Sequence, residues 1–111
     1  MVRGVILLTA LGLAALAPEP AGAEPRDACA RGTRFRGKKI DIDLKDADLH
    51  DAFRLLADVG RANLVVPDDV RGTVTIRVRA TPWDQVMCSI ARLEQLDVEL
   101  DQGVYTITPR R

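Results

Sequence analysis

The sequence predicts a small α+β domain in the order βαββαββ, and three observations predict it. Between Ile40 and Val86 the hydrophobic period changes from two to about 3.6, back to two twice, and to 3.6 again. After Leu96 two alternating runs flank Gln102-Gly103, which reads as a closing hairpin. The chain has 111 residues, 47% of them hydrophobic, with 16 basic and 16 acidic side chains, so one core is feasible and disorder is not expected.

The chain opens with Arg3, an apolar run VILLTALGLAALA, and the small-x-small site Ala21-Gly22-Ala23 before Glu24. This order is that of a secretory signal peptide over residues 1–23. The apolar run is too short for a spanning helix, which needs about 20 residues, and it ends at Pro18-Glu19-Pro20. Cleavage would leave 88 residues of zero formal charge with no membrane span, and would place the protein in the periplasm. A neutral chain has no long-range attraction for nucleic acid or anionic membrane. Residues 24–37 read as an extended leader whose Arg26, Arg31, Arg34 and Arg36 keep it solvated. No aromatic run interleaves them to stack bases, so nucleic-acid binding is not expected.

The domain proper is expected over residues 38–109. Ile40, Ile42 and Leu44 alternate with Asp41, Asp43 and Lys45, which makes a half-buried strand. Asp46 or Asp48 caps a helix whose core face is Leu49, Ala52, Phe53, Leu56 and Val59, and Gly60 stops it. Asn63 to Val66 is a short strand ended by Pro67-Asp68-Asp69. Gly72 turns the chain into a strand with Val74, Ile76 and Val78 inward and Thr75, Arg77 and Arg79 outward. Thr81 as N-cap, with Pro82 at the first helical position, opens a second helix bearing the stripe Trp83, Val86, Met87, Ile90 and Leu93.

Taken together, the IDIDLKDAD lead-in, the helix LHDAFRLLADVG, the double strand RANLVVPDDVRGTVTIRV and the helix opening TPWDQV resemble the short N-terminal domain of secretins and TonB-dependent receptors, in the form found in type IV pilus secretins. The resemblance covers about residues 38–109. It implies two helices packed between a small mixed sheet and a terminal two-stranded hairpin. It also implies a periplasmic protein-interaction module without catalysis, associated with an outer-membrane complex, whose partner is a secretin, pilus or TonB-type component. Three departures stand out. Glu94-Gln95-Leu96 lacks the glycine common after the second helix, Gln102-Gly103 replaces Gly-Asn in the last turn, and the chain stops where a secretin continues into a barrel. Pore formation is therefore not expected.

Other chemistries find little support. Asp41, Asp43, Asp46, Asp48 and Asp51 lack the glycine and closing glutamate of a calcium loop. His50 is the sole histidine and reads as a solvated first-turn residue, so neither zinc nor nucleophilic catalysis has its partners, and no cofactor is expected. A second reading keeps the same fold as a sensor or carrier of a small apolar ligand or peptidoglycan fragment held between helices and sheet.

Two expectations concern particular residues. If the first and third strands pair, as the resemblance suggests, Asp41 and Asp43 face Thr75, Arg77 and Arg79. That patch is either a protein-recognition surface or a set of weak cross-strand ion pairs. Cys29 and Cys88 are the only cysteines, and in an oxidising compartment a pair is read first as one disulfide. Cys88 points away from the stripe of Val86, Ile90 and Leu93, where a leader crossing the helix can reach it. A buried thiol beneath the terminal hairpin and a link between two chains remain as alternatives.

Overall fold

A computed structural model describes residues 24–110, so the signal reading of residues 1–23 lies outside the described residues. The elements are β1 (Arg26–Asp27), β2 (Lys39–Asp48), α1 (Leu49–Gly60), β3 (Asn63–Val65), β4 (Thr73–Pro82), α2 (Trp83–Leu93), β5 (Leu96–Asp101) and β6 (Val104–Pro109). From β2 onward this is the expected α+β order, with a hairpin at the C-terminus.

The strands divide into two sheets. β2 and β4 form an antiparallel ribbon, and the order β1-β5-β6-β3 makes a mixed sheet in which β3 runs parallel to β6. The terminal hairpin is thus the centre of the larger sheet. α2 packs on α1, β4 and β5, while α1 packs on β2, β3 and β4, so the helix pair lies between ribbon and sheet. Leu49, Ala52, Phe53 and Leu56 of α1 meet Trp83, Val86, Met87 and Ile90 of α2 in a core closed by Ile42, Val74, Val98 and Ile107. Fully burying side chains such as Phe53 or Leu56 is worth about 1.5–3 kcal/mol each.

Helix α2 is buried on two faces rather than one. Cys88 and Ala91 are as covered as the stripe, whereas Leu93, expected in the core, is 62% exposed in the last turn. The leader explains the covering of Cys88. Arg26 and Asp27 pair with Leu100 and Glu99, Ala28 N–H donates to Val98 O at 2.9 Å, and Cys29 is disulfide-bonded to Cys88 with Cα atoms 5.5 Å apart. The segment read as merely extended is therefore folded onto the sheet edge. Closing a loop with a sequence separation of 59 removes unfolded-state entropy worth about 4 kcal/mol on chain-entropy reasoning.

Helix ends show why some positions carry the residues they do. Asp48, one of the two expected caps, accepts from His50 and Asp51 N–H. Gly60 is not the left-handed stop: Arg61 takes that conformation at φ 53°, with Ala62 N–H bonded to Ala57 O and Arg61 N–H to Asp58 O. This is a Schellman end. Gly60 serves packing instead, because a Cβ there would overlap the Trp83 indole, as would one on Gly37. Thr81 does not cap α2, since the strand runs on through Thr81 and Pro82, paired with Ile40 and Lys39, and the Thr81 hydroxyl donates to Arg79 O. The first amide of α2, on Trp83, donates to Lys38 O at 2.9 Å, and Asp84 Oδ1 accepts from Gly37 N–H at 3.2 Å. Gln95 adopts φ 58° where the glycine is missing, and Gln102 and Gly103 are both at positive φ, as a two-residue hairpin of type I′ requires.

The fit of Trp83 against Gly60 gives a sharp expectation. Gly60→Ala should lower stability by about 2 kcal/mol through overpacking, despite alanine's better helix propensity, as read by urea unfolding. An unchanged midpoint would show that the indole has room to move.

Candidate functional site

The ribbon brings the five expected surface residues together on one exposed face. Asp43 lies directly across from Arg77, with Arg77 Nε 3.9 Å from Asp43 Oδ2 and both side chains about 70% exposed. At that exposure the pair contributes only a few tenths of a kcal/mol.

Asp41 and Thr75 have a different task. The register shifts between Ile40 and Ile42 and again between Leu44 and Ala47. At the first shift Arg79 and Ala80 of β4 oppose Asp41, and Asp41 Oδ1 accepts Ala80 N–H at 2.7 Å. At the second, Lys45 and Asp46 of β2 oppose Thr75, whose Oγ1 accepts Asp46 N–H at 3.0 Å. These are two β-bulges, one in each strand, and their turning residues Ala80 and Asp46 sit at φ 49° and 52°. Each bulge frees an amide that the other strand's side chain then satisfies. Because the bulges are in opposite strands, the extra residue in one cancels that in the other and pairing resumes in step. Arg79 makes no ion pair among the described residues. The part of the face without a structural duty is therefore Asp43, Arg77 and Arg79.

Other expectations are adjusted. His50 is half-buried rather than solvated, and its Nε2 donates to Val70 O at 2.8 Å. The space between helices and sheet is filled by Phe53, Leu56, Met87, Ile90 and Ile107, each essentially inaccessible to solvent. Among the described residues no three His, Cys, Asp or Glu side chains gather around a metal position, and no helix is long and apolar enough to cross a membrane. Sequence reasoning missed Tyr105, which meets Trp83 edge to face at 5.7 Å. Burial pushes its phenol above the ordinary value of 10.0, and nearby Asp84 adds to this against the opposing pull of Arg26. Tyr105 is therefore a neutral hydrogen-bond donor at neutral pH.

The fold is that of secretin short N-terminal domains. No family model matches the chain. Among curated proteins it is 30% identical over 77 residues to the type IV pilus biogenesis and competence protein PilQ of Neisseria gonorrhoeae, covering 69% of this chain and 11% of that protein. It is 31% identical over 75 residues to the fimbrial assembly protein PilQ of Pseudomonas aeruginosa, covering 68% and 10%. Among solved structures, the V. cholerae type IV competence pilus secretin PilQ superposes with a TM-score of 0.56 at 37% identity, over 61% of this chain and 16% of that one. The N0 domain of the type II secretin from enterotoxigenic Escherichia coli superposes with a TM-score of 0.55 at 16% identity, over 63% and 93%, which speaks to fold alone. The described domain is homologous to the N-terminal region of type IV pilus secretins. The chain spans about a tenth of the length of the curated relatives it matches.

The division of labour on the ribbon is testable by substitution. Asp41→Ala should cost about 1 kcal/mol in urea unfolding, because the Ala80 amide loses its acceptor. Asp43→Ala should stay within about 0.5 kcal/mol of the parent. Equal costs would assign both carboxylates to the same role.

Proposed function

We propose that this is a periplasmic protein-interaction module of a secretion or type IV pilus system, exported by residues 1–23 and recognising an envelope protein through the outward face of the β2–β4 ribbon. Homology over two thirds of the chain to pilus secretins supports the system. The observation that carries the surface is that Asp43, Arg77 and Arg79 are exposed on a ribbon whose bulges are held by Asp41 and Thr75 instead. Arginine in that setting offers a planar fork to a partner's carboxylate. The partner is a secretin or pilus component. A TonB-type regulator would dock by the same strand-face chemistry, but the homologues are pilus secretins.

Two measurements test this. Arg77→Glu should reduce capture of partner from the native envelope severalfold while shifting the melting temperature by less than about 3 °C, as expected of an exposed side chain. Undiminished capture would remove the ribbon from the interface. Intact mass of the exported protein, taken without reduction, should equal residues 24–111 less two hydrogens. Retention of residues 1–23 would overturn export by a cleaved signal, and two alkylatable thiols would overturn the disulfide.

A further inference from the structure

The leader does more than cover a sheet edge. Thr33 to Arg36 line a groove of about 420 Å³ together with Leu100 and Tyr105 of the terminal hairpin and Asp84 and Met87 of α2. Along that segment Arg34 and Arg36 are exposed while Phe35 between them is half-buried against the core. The segment belongs to no strand, but this exposure order is that of extended backbone, which would set the two arginines on one side about 7 Å apart. Among the described residues the backbone N–H and C=O groups of 34–36 have no backbone partner. Arg26, Arg34 and Arg36 all line the groove, and none is in an ion pair among the described residues. The groove also carries two carboxylates, each holding backbone amides through one oxygen: Asp27 Oδ1 accepts from Cys29 N–H at 2.9 Å, and Asp84 Oδ1 from the Gly37 and Gln85 amides, so the lining has three cations to two anions.

We propose that this groove is a second binding site, taking an extended acidic peptide segment of a partner protein. Its backbone pairs along 34–36, and carboxylates at alternate positions reach Arg34 and Arg36. Unpaired extended backbone is a ready template for an added strand, and an i, i+2 pair of arginines selects acidic residues at the same spacing. Tyr105, a donor, and the half-buried Phe35 and Leu100 also line the groove and suit the intervening side chain. The disulfide and the β1–β5 pairing hold the segment in place before the ligand arrives, which lowers the entropy cost of binding. The groove shares no residue with the ribbon face, so either site stands without the other.

Fluorescence anisotropy of the purified full chain with a labelled Asp-Thr-Asp-Thr-Asp peptide tests the proposal. Saturable binding is expected, weakened at least tenfold by Arg34→Glu with Arg36→Glu, by replacing the peptide's Asp with Asn, and by N-methylating alternate peptide amides. Arg77→Glu should leave it unchanged. The Asn and N-methyl arms use the parent protein and so hold even if the double variant fails to fold. No saturable binding, equal binding of the Asn peptide, or competition by free glutarate as effective as by the peptide would overturn the strand-binding site. So would preferential binding to vesicles of anionic lipid.

Discussion

The placement of one indole holds this small domain together. Trp83 begins α2, is 6% exposed, and lies where both Gly37 of the leader and Gly60 at the end of α1 lack a side chain to exclude it. The Trp83 amide bonds to Lys38 O, its ring meets Tyr105 of β6 edge to face, and its neighbour Asp84 holds Gly37 N–H. Leader, both helices and the terminal hairpin thus converge on one residue. A large aromatic in such a position contributes through area and through ring geometry worth about 0.5–1.5 kcal/mol more, and a domain of this size has few other places to gain as much.

The ribbon follows a separate logic. Two strands of ten residues twist strongly when unaccompanied, and a bulge in each increases that twist while leaving the register unchanged overall. Placing Ala80 and Asp46 at positive φ costs about 1 kcal/mol or more for each residue. The acceptors Asp41 and Thr75 offset this by satisfying the amides that the bulges free. The resulting face carries Asp43, Arg77 and Arg79 on a backbone fixed at both ends, which favours a surface able to meet a partner without reordering.

Much of this was legible in the residues, and the misses have identifiable causes. Period-two and period-3.6 patterns located every element from β2 to β6, because each buries one face and the spacing records which. The bulges also left a trace: the inward residues Leu44 and Ala47 are three apart, and so are Val78 and Thr81, which breaks strict alternation. Leu93 was misplaced because a periodic stripe says nothing about where the covering sheet ends. Gly60 was read as a helix stop because glycine's backbone freedom is local, whereas its need to make room for Trp83 depends on a residue 23 positions away. His50 was read as solvated for the same reason, its partner carbonyl being on Val70. Strand β1 has two residues and no period to detect, and the arginine groove it positions was invisible with it.

The leader shows how a covalent constraint and a weak strand complement each other. Two residues of pairing, Arg26 with Leu100 and Asp27 with Glu99, cannot by themselves offset the entropy of fixing a dozen leader residues at about 1 kcal/mol or more each. The Cys29–Cys88 bond and the Gly37–Trp83 contact fix the leader at both ends. Residues 30–36 then close a short loop, for which the entropy cost is small, and Phe35 packs against the core within it. With its ends fixed, the middle of the leader can leave its backbone unpaired and its arginines exposed without detaching from the domain. The edge of β5 is meanwhile covered by β1 and is not open to indiscriminate strand addition. What remains accessible is the arginine-bearing segment, where both charge and spacing restrict what can pair.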